Sequence, residues 1–308
     1  TITYGDRSAG SQGLRMPDFA SDAMPFPIYL DLDGSDLWYS LPIQPLKIIG
    51  QSVSGVHGFA PSIVAAGKPF SFSVRAEDAF ANRATGSIPS WQIFIDGELL
   101  RKLPEGREAV QVVDDVILNR PGVYRVRIAS EDGKIEGAAN PIVVKDNPQQ
   151  NLFWGDTHGH SGFAEGIGTA DEFMRFARDD SRLDFVTHSE HDLWVDAREW
   201  LYLKDMVRKY HDEGRFIPYL GYEWTIANPQ GGHHNVLFRS PENREMVPGV
   251  LYPTLSRLYQ GLRESYDPKD VIVIPHAHNT GDYRQSDPEL EPLVEISSMH
   301  GNFEWFGR

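Results

Sequence analysis

After residue 151 the chain alternates short, nearly continuous apolar runs with amphipathic segments, and most of the apolar runs end in a histidine motif. Ten of the eleven histidines lie in this half. Strand and helix alternation with apolar strands predicts a largely parallel sheet covered by helices. LFW, LDFVT, FIPYLGY, NVLF, VIVIP and LVEIS read as the strands. Thr169 opens a helix through a T-x-x-E capping box with Glu172, and Phe173, Phe176 and Ala177 fall on one face of it. Further helices are expected over about 197–213 and 254–265. A barrel is the natural closure of such a sheet, and in barrels the reactive groups gather in the loops after the C-terminal strand ends. GDTHGH follows LFW, HSEH follows DFVT, Glu223 follows IPYLGY, PHAH follows VIVI and MHG follows VEISS. His233 and His234, which precede NVLF, are the exception. Segments distant in sequence would thus point at one mouth, as a polynuclear metal site requires.

The first half reads differently. Residues 1–50 mix Pro, Gly, Asp and aromatics without a clear period, apart from short strand-like pieces such as IYLDLDG and DLWYSLPI, and are expected to pack on the rest. Over residues 51–146, Phe70, Phe72 and Val74 alternate with Ser71, Ser73 and Arg75, and Tyr124, Val126 and Ile128 with Arg125 and Arg127. That is the period of strands with one buried face. Asp96-Gly97 and Asp132-Gly133 supply turn residues tolerant of positive φ. An immunoglobulin-like β-sandwich is expected there, with residues 145–151 as a linker to the domain over 151–308.

Composition narrows the chemistry. The chain of 308 residues carries a formal charge of −15, which argues against a nucleic-acid binder, since those present a basic face. It has no cysteine, so thiolate metal sites, disulfides and thiol nucleophiles are excluded. No apolar stretch approaches the roughly 18 residues of a bilayer span, and the first 30 residues lack the order of a signal peptide. The chain is expected to be soluble, with its compartment undecided. It begins at Thr1 without Met, which leaves room for an upstream segment. No P-loop, dinucleotide fingerprint or G-x-S-x-G elbow occurs.

His158 and His160 are two apart, so on an extended segment both rings project to one side and can share a metal. Asp156 either orients a ligand or forms a turn. THSEHD offers His188, Glu190, His191 and Asp192, of which one or two would bind. Glu223 directly follows an apolar strand, where an unpaired charge is costly; it is either a metal bridge or a salt-bridge partner. His233 and His234 are adjacent and point apart, so only one should bind. His276 and His278 repeat the argument for His158 and His160. His300 is either a ligand or a hydrogen-bonded core residue, and His57 and His211 stand outside any cluster. Imidazole and carboxylate donors without thiolate suit Zn, Mn or Fe. Two or three such ions side by side activate water and clamp an oxyanion, so hydrolysis is the expected reaction.

At these residues the second half resembles the polymerase and histidinol phosphatase (PHP) superfamily, whose domain is a distorted β/α barrel with a trinuclear metal site. His158 and His160 match its HxH motif; S-E-H resembles its T-D-H and gives His191 the ligand role; Glu223 matches its bridging carboxylate; His233 and His276 match its later histidines, and Glu165 the acid after the first motif. GDTHGHSGFAEG, GHHNVLF, IPHAHN and VEISSMHGNFE together resemble a bacterial branch known only as a domain of unknown function, in which the SSMHG histidine recurs and gives His300 a ligand role. The superfamily's final D-x-H is not seen after His300, and about 160 residues are few for a closed barrel, so a C-terminal segment or second chain is expected to complete it. The resemblance implies a metal-dependent phosphoesterase acting on a small-molecule phosphoester with two or three divalent ions on His158, His160, Glu165, His191, Glu223, His233, His276 and His300. His278 or His188 would protonate the leaving group and Arg284 would touch phosphate. Amidohydrolase-like cleavage of a C–N or C–O bond, or a non-catalytic metal-bound binding module, are the alternatives.

Overall fold

The computed structural model describes residues 5–227, 230–277, 284–298 and the backbone of 301–302. The chain divides into two compact units, Thr1–Leu152 and Phe153–Arg308. The division falls just beyond the expected linker.

The first unit is built from strands. Gly55–Phe59, Pro69–Glu77 and Val110–Ile117 form one sheet; Ile63–Ala65, Ile142–Lys145 and Gly122–Tyr124 a second; Trp91–Ile95, Glu98–Leu103, Val126–Ser130 and Glu136–Ala138 a third. They enclose one core, in which Val74, Ile88, Trp91, Ile93, Ile128 and Ile142 are buried. The Asp96-Gly97 turn forms as its chemistry dictates: both residues have positive φ (49° and 87°) and join Ile95 to Glu98 directly. The Asp132-Gly133 loop is wider, with Ser130 N–H donating to the Ile135 carbonyl. The alternation in Pro69–Glu77 fades after Phe72, because Ser73 and Arg75 are also buried; Arg75 lies over the Phe59 ring and reaches Glu77 at 2.6 Å. Tyr124 OH donates to the Arg120 carbonyl at 2.9 Å, pinning the chain just before Val126–Ser130. The N-terminal segment is tied to this unit: Asn82 accepts from Ala20 N and donates to the Asp18 carbonyl.

The second unit contains one five-stranded sheet: β1 (Gly155–Asp156), β2 (Phe185–Thr187), β3 (Ile217–Trp224), β4 (His234–Phe238) and β5 (Val271–Pro275), in that order. β1, β2 and β3 are parallel, whereas β4 runs antiparallel to both β3 and β5. The helices are α1 (Ala170–Arg175), α2 (Ala197–Tyr210) and α3 (Leu255–Ser265). All three start where their caps dictate, on Thr169, Asp196 and Thr254, whose side chains accept from backbone N–H groups of the first turn. Met174, Trp200, Leu203, Leu258 and Leu262 pack with Leu220, Tyr222, Val236 and Phe238 of the sheet in one core.

This arrangement overturns the expected closed β/α barrel, complete or truncated. Among the described residues the sheet is open and mixed, and the molecule is richer in strand than in helix. Only residues 225–233 link β3 to β4, too few for the helical crossover that parallel pairing needs, so β4 turns back. The opposite face carries the alternate residues of the strands. Phe185, Tyr219, Leu237 and Ile274 line a groove of about 390 Å³ there, and Glu223 and Asn235 project from the same face nearer the strand ends.

Three local expectations also change. Leu152, Phe153 and Trp154 are each at least half exposed, and the strand begins at Gly155, where a Cβ would meet the Phe185 ring at 2.4 Å. α1 widens into a π-helical turn over Phe176–Asp180, and the buried face is Ala170, Met174 and Ala177, spaced i, i+4, i+7, with Phe176 outside it. LVEIS is mostly unpaired, and only Ser297–Ser298 forms a strand, a two-residue one.

Candidate metal centre

The histidine motifs meet at one end of the sheet. His158 and His160 leave β1, residues 188–192 leave β2, Glu223 sits near the end of β3 and His276 follows β5. The antiparallel β4 explains the motif that broke the sequence rule. Its start lies beside the ends of β3 and β5, with Trp224 opposite His234 and His234 opposite Pro275. A histidine preceding this strand therefore reaches the place that histidines following the others reach.

Glu223 is the centre. Its side chain is 1% exposed and both oxygens face imidazoles. Oε1 lies 2.6 Å from His233 Nδ1 and 3.2 Å from His191 Nδ1; Oε2 lies 3.4 Å from His160 Nε2, 3.6 Å from His158 Nε2 and 3.9 Å from His276 Nε2. Burial would raise its pKa, but hydrogen bonding to His158 and His233 and the nearby His276 and His191 hold it well below the usual carboxylate range. Among the described residues, three groups have potential ligand atoms within 4.8 Å of one another: His158, Glu223 and His276; His160, Glu165 and His191; His191, Glu223 and His233. His158 and His160, expected to share one ion, thus fall into different groups although both face the same oxygen.

The rings are crowded in a way that suits neutral ligands. His158 and His276 lie 4.1 Å apart between centroids, and His160 and His191 stack at 4.8 Å. Protonated rings at such distances would repel. Burial lowers the pKa of His160 and carries that of His276 down to about 3, so both keep lone pairs that converge on a buried carboxylate. His158 differs. Burial disfavours its charged form, but its bonds to Glu223 and Glu295 outweigh that and raise it to about 9. A donor set of imidazoles and carboxylates with no thiolate fits divalent Zn, Mn or Fe.

Neighbouring groups hold the side chains of the cluster in place. Thr225 Oγ1 lies 2.6 Å from His191 Nδ1, and Thr225 N donates to Asp192 Oδ1. Asp192 also accepts from Gly249 N, yet burial raises its pKa to about 6. Ser189 N donates to the Gly159 carbonyl and Gly159 N donates to Ser189 Oγ, locking the HxH loop, and Glu190 Oε1 accepts from Ser161 N at 2.7 Å. Glu295 lies 2.8 Å from His158 Nδ1 and accepts from Ala277 N. Glu295 and Thr225 escaped the reading of the sequence. The signal for Glu295 was present, since it is a lone acid inside an apolar run, as Glu223 is.

Other expected residues fall elsewhere. His188 is fully buried, burial and the neighbouring His160 lower its pKa to about 3, and neither ring nitrogen has a hydrogen-bond partner among the described residues. A base held neutral in this way has no proton to give near neutral pH, which removes it as a general acid. His234 turns from the cluster toward Trp224 and Glu291, as the adjacency argument required of one member of the pair. Arg284 is exposed. His278 and His300 lie outside the described residues.

Residues 167–304 match a family profile described as a protein of unknown function (DUF3604). An uncharacterized protein of Chlamydia muridarum is 27% identical over 315 residues, covering 97% of this chain and 49% of its own length. One of Chlamydia pneumoniae is 26% identical over 300 residues, covering 93% and 47%. The chain therefore spans about half the length of the curated relatives it matches. Among solved structures, a CARDB domain from Pyrococcus furiosus in complex with di-metal ions is 16% identical with a TM-score of 0.26, covering 32% of this chain and 95% of that one. A carbohydrate acetylesterase from Xanthomonas citri is 11% identical with a TM-score of 0.21, covering 73% and 53%. Likenesses at these scores carry no weight for fold or site.

Proposed function

We propose that the second unit is a metal-dependent hydrolase, a phosphoesterase in the form that fits best, with two or three divalent ions held by His158, His160, Glu165, His191, Glu223, His233 and His276. The observation that carries this reading is one buried carboxylate whose two oxygens are shared by five imidazoles from four chain segments. Ions held there would activate water and offset the charge on phosphoryl oxygens. Glu223 would offer Oε1 to the group with His191 and His233 and Oε2 to the group with His158 and His276. A neutral His191 has one lone pair, and the Thr225 hydroxyl at Nδ1 leaves Nε2 for the group with His160 and Glu165. Glu165 is 63% exposed, which places that group at the solvent side, where a substrate arrives. Trp194, half exposed and edge-on to His191 at 4.7 Å, gives the mouth an apolar wall.

The test is metal content by mass spectrometry on protein purified without chelators or a metal-affinity column, followed by assay on p-nitrophenyl phosphate and its diester. The expected result is two or three equivalents of Zn, Mn or Fe and turnover that Glu223→Gln lowers by more than about 100-fold. Folded protein without metal sinks the proposal. Metal with turnover only on amides would move it to amidohydrolase-like chemistry.

A further inference from the structure

β1 and β5 are the two edges of the five-stranded sheet, yet the residues that follow them, His158 and His276, lie ring against ring at 4.1 Å. The sheet therefore curls until its edges meet at the cluster. Among the described residues no backbone ladder joins β1 to β5. Among the described residues Glu223 faces both rings from within the cluster, and a second carboxylate, Glu295, bonds both segments from its outer side. Glu295 Oε1 lies 2.8 Å from His158 Nδ1, and Glu295 Oε2 accepts from Ala277 N, next to His276, at 2.9 Å. The backbone N–H of Glu295 in turn donates to the Pro275 carbonyl at the end of β5. The carboxylate is largely buried, with its side chain 13% exposed, so both bonds form in a poorly solvated place where charge-assisted bonds are strong.

We propose that Glu295 is a positioning residue that clamps the two edges of the sheet at the cluster and sets the tautomer of His158. The inference rests on the metal-site reading for its consequence, but not for its geometry. An ionised carboxylate only accepts hydrogen bonds, so Nδ1 of His158 carries the hydrogen and the Nε2 lone pair is the one that serves a cation beside Glu223. Both oxygens are used, and that decides the chemistry. An amide accepts at only one atom, so Glu295→Gln keeps the shape but loses one of the two bonds. If its oxygen stays on Ala277 N, its NH₂ faces His158 Nδ1 and drives the proton to Nε2, which blocks the ligand. Glu295→Asp keeps the charge but is one methylene shorter and cannot span both partners.

Two measurements on the metal-free chain and its loaded form test this. Long-range ¹⁵N–¹H correlation of histidine side chains in the wild-type chain above pH 9, where the His158 ring is neutral, should show His158 with a proton on Nδ1; a ring protonated at Nε2 alone overturns the proposal without need of any variant. Competition with a chelating dye, using Zn or Mn as the probe, should show metal affinity lowered about 10- to 100-fold in Glu295→Gln, the range for an outer partner of a ligating histidine. The His158 tautomer should change in the same variant while its far-UV circular dichroism stays that of the wild type. Wild-type affinity in that variant, or an unchanged His158 signal, refutes the clamp. A wild-type chain that binds no metal at all refutes the proposed function, while the tautomer measurement still judges Glu295.

Discussion

His188→Leu tests whether the ring beneath the cluster is a buried, uncompensated base. The ring is fully buried and neither nitrogen finds a partner among the described residues. An unsatisfied buried polar group costs about 1–3 kcal/mol, and leucine has nearly the volume of histidine. Above pH 7 the metal-free variant should therefore be about 1–3 kcal/mol more stable than the wild type, the reverse of the usual effect of replacing a buried residue. The pH dependence sharpens the test. The folded-state pKa is lowered to about 3 from 6.5, so below pH 6.5 the unfolded chain takes up a proton that the folded chain refuses. The stability that depends on the neutral ring is present above pH 6.5 and is lost as pH falls toward 3, at about 1.4 kcal/mol per pH unit and about 5 kcal/mol in total. His276 behaves alike in both proteins. Asp192, raised to about 6 by burial, acts oppositely: its contribution is fully present below pH 3.8 and is lost as pH rises through 6. These contributions cancel in the difference between variant and wild type. The assay is urea unfolding followed by tryptophan fluorescence, with EDTA, at pH 7.5 and 5.5. The advantage of the variant should grow by about 1.4 kcal/mol between pH 7.5 and 5.5. Equal pH slopes, or a variant less stable by more than about 2 kcal/mol at pH 7.5, would show that the ring has a partner and refute the reasoning.

Gly221→Ala should loosen the sheet at the site, because a Cβ there would lie 2.5 Å from Thr187 Cγ2 and 2.8 Å from the Val236 carbonyl oxygen. The expected cost is about 1–3 kcal/mol with loss of bound metal, read by thermal unfolding and metal content; a wild-type melting temperature would refute it. In the first unit, Tyr124→Phe removes the bond to the Arg120 carbonyl and should lower the stability of that unit by about 1 kcal/mol in urea unfolding, leaving metal content unchanged.

Much of the local structure was legible in the chain. The Thr169 capping box, the Asp96-Gly97 turn and most of the apolar strands rest on interactions a few residues long, so they can be read without knowing the fold. The gathering of His158, His160, His191, Glu223 and His276 was legible too, because each follows an apolar run and such ends collect on one side of a sheet. Tertiary structure decided what depends on partners far along the chain. The direction of β4 made His233 converge with histidines that follow their strands. Hydrogen-bond pairing left the sheet open where a closed barrel was expected. Burial, which no sequence displays, made His188 a neutral base. Only the curl that brings the two sheet edges together could place Glu295 against His158, 137 residues away.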